Sequence, residues 1–229
     1  MIESLFPDPV ITIEATEEMW SGPLLPEEEE CLSPRAVLKR RREFTAGRVG
    51  ARAALERLGI RGFPLRVAPD RTPIWPPGIV GSLSHCGDYC GVAIVREGFI
   101  AGLGLDVERA RPLEGRVLSL VCSEQERARI ATLPGLPGGL GAMAVFCAKE
   151  STYKCHYPLA RTFLDFHDVE IDLDPGGGTF TATILKARSQ EGCAVPPRVR
   201  VLRGRFAWND DHVCAGVTLT APELQPAQT

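Results

Sequence analysis

The chain has 229 residues, 44% of them hydrophobic and 24% charged, with a formal net charge of −3. That is enough apolar material for a real core, in one large domain or two small ones. The slightly acidic balance gives no overall electrostatic reason to expect nucleic acid or an anionic membrane as the main partner. Met1 to Thr12 shows no basic segment leading into an apolar core, and no stretch approaches the roughly 20 apolar residues of a spanning helix, so a cytoplasmic protein is expected. The eight cysteines include no CxxC pair and are expected to remain reduced, most as small buried hydrophobes.

Along the chain, Thr16 to Glu30 is acidic, is broken by Pro23 and Pro26, and reads as surface loop. Ser33-Pro34 offers an N-cap and a first-turn proline for a helix over Arg35 to Leu58, ended by Gly59. From Pro64 to Glu108 short apolar runs alternate with turn residues: Leu65–Ala68, Ile79–Leu83, Tyr89–Val95 and Phe99–Val107. With Gly87-Asp88 and Glu97-Gly98 as tight connections, this predicts an antiparallel meander. Helices are predicted over Leu113 to Thr132 and Ala142 to His156, with Pro158 stopping the second. Alternating strands follow at Val169–Leu173, Thr179–Leu185, Arg198–Trp208 and Val213–Leu219, before a frayed tail after Ala221. Each half runs helix first and antiparallel strands afterwards. The expected fold is therefore α+β, with two similar lobes, residues 1–105 and 106–229, meeting near residues 104 to 112.

Four segments combine charge with structure that would aim it. In Gly104-Leu-Asp106-Val-Glu108 the two acids share one strand face, and paired carboxylates repel unless a cation joins them. Magnesium suits such a pair, because it takes one or two protein carboxylates and leaves positions for substrate phosphates. Taken singly, a DxE is more often a solvated strand end. In Phe146-Cys-Ala-Lys149-Glu150-Ser-Thr-Tyr-Lys154, Phe146, Glu150 and Lys154 fall on one helix face, and Phe146 draws that face inward. A half-buried acid and amine there are candidates for base and acid, or for a metal ligand and a phosphate clamp. Arg71-Thr-Pro-Ile-Trp75-Pro leads to Gly81-Ser-Leu-Ser84-His85, where Arg71, Ser84 and His85 are able to contact phosphate oxygens. The fourth is the basic run Arg35 to Arg57; such a run is usually a solvated face, and one or two of its arginines would suit a phosphorylated small molecule.

In this order the segments resemble the signature of the Sfp-type 4'-phosphopantetheinyl transferases, particularly the branch of the enterobactin-synthase transferase component. The matching residues are Glu43-Phe-Thr-Ala-Gly-Arg48-Val-Gly-Ala-Arg52, Arg71-x-Pro-x-Trp75-Pro-x-Gly78-x-x-Gly81-Ser-x-Ser84-His85, Gly104-x-Asp106-x-Glu108 and Phe146-x-x-Lys149-Glu150-Ser-x-Tyr-Lys154. The resemblance implies two pseudo-twofold lobes with the active site between them, the first on the nucleotide side and the second carrying metal and catalytic helix. It implies Mg2+ on Asp106, Glu108 and Glu150, and coenzyme A contacts at Arg48, Arg71, Ser84, His85, Asp106 and Lys154. Glu150 and Lys154 would be catalytic, and Glu126 matches a further family acid. The implied partners are coenzyme A and an apo acyl or peptidyl carrier protein, with no nucleic acid or membrane, and a monomeric enzyme is expected. Arg71 stands where many members have lysine, which keeps charge and changes hydrogen-bond geometry.

Two other readings compete. Ser84-His85 and Cys86 close to Asp88 suggest a serine or cysteine hydrolase, though the glycines of a G-x-S-x-G elbow are missing. The basic helix suggests a nucleic-acid-binding module, against which stand its single aromatic, Phe44, and the acidic chain.

Overall fold

The computed structural model describes residues 1–186 and 200–224. The first sheet is built from β1 (Ile11–Glu14), β2 (Ile79–Cys86) and β3 (Tyr89–Arg96), antiparallel throughout and ordered β1-β3-β2. β3 reads Tyr-Cys-Gly-Val-Ala-Ile-Val-Arg, apolar on both faces, and it is accordingly covered on both. A single helical turn, α1 (Pro26–Glu29), precedes the long helix α2 (Leu38–Arg57), whose Ala51, Ala54 and Leu55 pack on Val92 and Ile94. The other face of β3, Ala93 and Val95, packs with Leu103, Leu105 and Val107 of β4 (Ile100–Arg109).

β4 leaves the predicted meander. It pairs with a strand more than a hundred residues later and forms the edge of a second, five-stranded antiparallel sheet. That sheet comprises β4, β5 (Val169–Asp174), β6 (Thr179–Ile184), β7 (Val201–Trp208) and β8 (His212–Thr220), in the order β4-β8-β7-β6-β5. Helices α3 (Gly115–Val121), α4 (Glu124–Thr132) and α5 (Gly141–Ala160) follow β4, and α5 covers one face of the sheet; α6 (Ala221–Leu224) is a last turn after β8. α5 lies on β4 at backbone contact. A Cβ on Gly104 would stand 1.9 Å from the Ser151 carbonyl oxygen, and one on Gly102 3.1 Å from Cys155 Sγ. Only glycine allows the helix so close.

Other departures from the sequence reading have local causes. Leu65–Ala68 forms no strand beyond one bridge between Val67 and Pro73, since Pro64 and Pro69 remove ladder donors on either side. The predicted helix over Leu113 to Thr132 is broken at Cys122, because Ser123 and Glu126 form a reciprocal capping box that starts α4 afresh. α2 begins at Leu38, three residues later than predicted, and α5 continues through Pro158 to a left-handed cap at Arg161. The acidic stretch is not all surface: Trp20 is buried, and Glu28 is fully buried against Arg52 while accepting from the Leu65 amide at 3.1 Å. Of the strand predicted from Arg198, the first two residues lie outside the described residues, as does the tail beyond residue 224.

Candidate active site

β2 and β4 run side by side without a backbone ladder, and serine hydroxyls take the ladder's place. Ser82 Oγ accepts from the Leu105 amide at 3.0 Å, and Ser84 Oγ accepts from the Val107 amide at 3.3 Å. This places Ser84 against Asp106 and Cys86 against Glu108. Ser84 Oγ donates to Asp106 Oδ1 at 2.9 Å, and the Cys86 thiol donates to Glu108 Oε2 at 3.4 Å. From the helix above, Lys154 Nζ donates to Asp106 Oδ1 at 2.7 Å and to Ser84 Oγ at 3.1 Å. Asp106 is 3% exposed, yet its second oxygen, Oδ2, is buried and accepts no hydrogen bond from the described residues. A bare buried carboxylate oxygen is costly unless something is to be bound there.

The electrostatics point the same way. Burial raises the Glu108 carboxyl above the ordinary range, and the Asp106 charge raises it further. Glu150, one helical turn before Lys154, is raised by burial and then by Asp106, with Lys154 opposing. Burial alone would depress Lys154, but the Asp106 charge and hydrogen bond and the Glu150 charge outweigh it, so the amine is held protonated. Two carboxyls raised by burial and by the Asp106 charge, with one ammonium beside them, form a pocket short of positive charge. Their donors are hard oxygens, the type magnesium takes. Among the described residues no three His, Cys, Asp or Glu side chains are drawn together as a ready metal cage.

His85 faces away from this group, because neighbours on a strand alternate. Its Nε2 accepts from Arg40 at 3.3 Å and its Nδ1 lies 3.7 Å from Glu43. Burial depresses the imidazole, with Arg40, Lys154 and Arg48 adding to the effect against Glu43, so His85 is neutral near pH 7. Ser84 and His85 thus occupy opposite faces and form no nucleophile–base pair, which removes the hydrolase reading. Arg48 is 6% exposed, stacks 3.9 Å over the Phe44 ring and donates to the Leu65 carbonyl at 3.1 Å. Burial lowers its guanidinium to about 10. Arg48 therefore reaches the His85 cluster as charge, while its Nε supports the chain around Leu65. The rest of the basic helix is partly occupied as well, Arg42 by Glu17 at 3.3 Å and Arg52 by Glu28.

Arg71 is exposed on a turn where its φ is +68°. The turn is fastened to α5 by its neighbour Asp70, which accepts from Arg161 at 2.9 Å and from the Tyr157 hydroxyl at 3.3 Å. Gly81 is required by Trp75, whose ring would stand 2.6 Å from an added Cβ. Glu126 pairs with Lys149, which lines one pocket with Glu150. Their 2.7 Å ion pair is buried at 0% and 2% side-chain exposure. Sequence reading missed Arg40 and Glu43 as the partners of His85 and Asp70 as the tether of the Arg71 turn. Glu43 had a signal, since it opens a matched motif; Arg40 is one cation in a run and had none.

Comparison with known proteins settles which family the chain belongs to. A model of the 4'-phosphopantetheinyl transferase N-terminal domain matches residues 27–95, and one of the 4'-phosphopantetheinyl transferase superfamily matches residues 102–215. The chain is 38% identical over 225 residues to 4'-phosphopantetheinyl transferase Svp of Streptomyces mobaraensis, covering 97% of this chain and 90% of that one. This chain belongs to the 4'-phosphopantetheinyl transferase family. It is also 34% identical over 226 residues to 4'-phosphopantetheinyl transferase PptT of Mycobacterium tuberculosis, with 96% of both chains covered. Enterobactin synthase component D of Escherichia coli (strain K12) is 33% identical over 122 residues, spanning 51% of this transferase and 54% of that chain. The two family models meet between residues 95 and 102, where the transferase passes from its first sheet to its second. Among the transferase's described residues no helix is long and apolar enough to cross a membrane.

Proposed function

We propose that this transferase binds coenzyme A where β2, β4 and α5 converge and moves its phosphopantetheine to a serine of an apo acyl or peptidyl carrier protein, releasing 3',5'-ADP. The observation that carries the reading is the Asp106 carboxylate, held at Oδ1 by Ser84 and Lys154 and bare at the buried Oδ2. Residues 1–105 would serve the nucleotide side and residues 106–229 the metal and catalytic helix. Asp106, Glu108 and Glu150 would hold Mg2+, which when bound neutralises pyrophosphate charge.

The protein's own groups account for the remaining steps. The carrier serine oxygen bonds to the β-phosphorus of coenzyme A as the pyrophosphate bridge breaks. Glu150, whose raised pKa makes it a better base than an ordinary carboxylate, accepts the serine proton directly or through water. Lys154, held protonated beside it, stabilises the departing phosphate. On the other face of β2, Arg40 and Arg48 would supply positive charge for the 3'-phosphate and His85 a neutral hydrogen bond. A pocket of about 180 Å³ beside Glu150, whose wall is mainly Tyr153, Phe163, Leu164 and Phe166 with Lys149 and Asp165 among them, would take the phosphopantetheine arm.

The test is mass spectrometry of purified apo fatty-acid, polyketide and peptide carriers incubated with the protein, coenzyme A and magnesium. A gain of one phosphopantetheine on at least one carrier, abolished by EDTA, is expected. No gain on any of them overturns the proposal, and an undiminished gain in EDTA overturns its metal.

A further inference from the structure

Resemblance implies that Ser84 touches coenzyme A. The hydroxyl has no capacity left for it. A serine has one donor and two acceptor positions, and Ser84 Oγ uses all three: it donates to Asp106 Oδ1 at 2.9 Å and accepts from Lys154 Nζ at 3.1 Å and from the Val107 amide at 3.3 Å. The residue is 6% exposed. Its neighbour two positions earlier, Ser82, makes the same bridge to β4 through the Leu105 amide but meets no carboxylate there.

We propose that Ser84 is a positioning residue: its hydroxyl joins β2 to β4 and fixes Asp106 by one oxygen, so that the other is presented bare to a divalent cation. The inference rests on the reading that Asp106 holds the metal. Without the serine proton, Oδ1 keeps only Lys154, and the carboxylate is free to turn and satisfy Oδ2 on the same ammonium. Loss of a hydrogen-bond partner behind a metal ligand typically weakens metal binding by about 10- to 100-fold.

The experiment titrates Mn2+ into the protein–coenzyme A complex by electron paramagnetic resonance, and separately measures coenzyme A affinity in EDTA. Ser84→Ala is expected to weaken Mn2+ by about 10- to 100-fold and to leave metal-free coenzyme A affinity unchanged. Ser84→Thr, which retains the hydroxyl, restores Mn2+ binding. Ser82→Ala lowers the melting temperature through the same kind of bridge but leaves Mn2+ affinity intact. Should Ser84→Ala fail to fold, Ser84→Cys replaces it, a slightly larger side chain with only a weak donor, and Mn2+ binding is again expected to weaken. Wild-type Mn2+ affinity in the Ser84 variant overturns the inference, as does an equal loss in Ser82→Ala. A fall in metal-free affinity for coenzyme A but not for 3'-dephospho-coenzyme A also overturns it, and makes Ser84 a phosphate contact. If wild type and Asp106→Asn bind Mn2+ alike, the metal reading fails first and takes this inference with it.

Discussion

Helix α5 carries two lysine–carboxylate pairs of the same length, Lys149 with Glu126 and Lys154 with Asp106, each at 2.7 Å. They differ in what surrounds them. Lys149 spends its three protons on the Val121 carbonyl, Glu126 and the Phe166 carbonyl. Glu126 in turn accepts from the Ile171 and Ser123 amides, so both partners are saturated in an interior site. Lys154 is 29% exposed by side chain, and its partner retains a buried oxygen with nothing bonded to it. A saturated pair fixes α4, α5 and β5 to one another and has nothing to offer a ligand. An unsaturated one is poised for a ligand to complete it.

Removing one member of the saturated pair is the largest stability change this contrast implies. Lys149→Ala leaves the Glu126 charge buried without its counter-ion, at a cost of about 3–5 kcal/mol, which for a chain of this size lowers the melting temperature by about 6–20 °C. Thermal unfolding by circular dichroism measures it. Below its melt, the variant should still transfer phosphopantetheine; a variant of wild-type stability without transfer would place Lys149 in the chemistry and break the comparison.

On the far side of β2 the effect is smaller. His85→Ala should weaken coenzyme A by about 0.5–1.5 kcal/mol near pH 7, the worth of a neutral hydrogen bond, or about two- to tenfold. The loss should grow on acidification. Burial and three neighbouring cations depress the free imidazole, and a bound phosphate raises it. Wild-type affinity therefore increases as pH falls from the bound pKa to the free one, which lies below 6.5. Calorimetry in two buffers should show proton uptake that the variant lacks and 3'-dephospho-coenzyme A does not elicit. An unchanged ratio between the two ligands would assign His85 to the core.

Smallest is the effect at the carrier. Arg111 is exposed just beyond β4, and α3 next to it presents Val117 and Leu120 at 50% and 59% exposure. Arg111→Glu should raise the KM for carrier a few-fold with no change in that for coenzyme A, because rim charges steer association. Equal effects on both would move the docking face elsewhere.

The half of this contrast proposed for catalysis was readable in the sequence and the saturated half was not. Phe146, Glu150 and Lys154 share a face at helical spacing, and Asp106 and Glu108 share one at strand spacing, so local periodicity alone aims them. Lys149 sits next to Glu150 in the same motif, but its partner lies 23 positions earlier and no local pattern links the two. Ser123-x-x-Glu126 was a legible capping box that would have divided the helix predicted over Leu113 to Thr132. The pairing of β4 with β8 was not legible, because both strands are apolar and strand partners are chosen by tertiary packing. Glu28 misled for a related reason: a run of acids reads as solvated until the fold brings Arg52 to one of them.

The central claim is that the unsaturated pair is where transfer occurs, and Asp106→Asn tests it most directly. The amide keeps the volume and an oxygen to accept from Lys154, so the fold should survive, while the charge that would hold a cation is gone. Transfer to an apo carrier, followed by mass spectrometry beside a thermal melt, should show a folded protein slowed by several kcal/mol, more than about a thousandfold. A folded Asp106→Asn protein that transfers phosphopantetheine at near the wild-type rate would contradict the account.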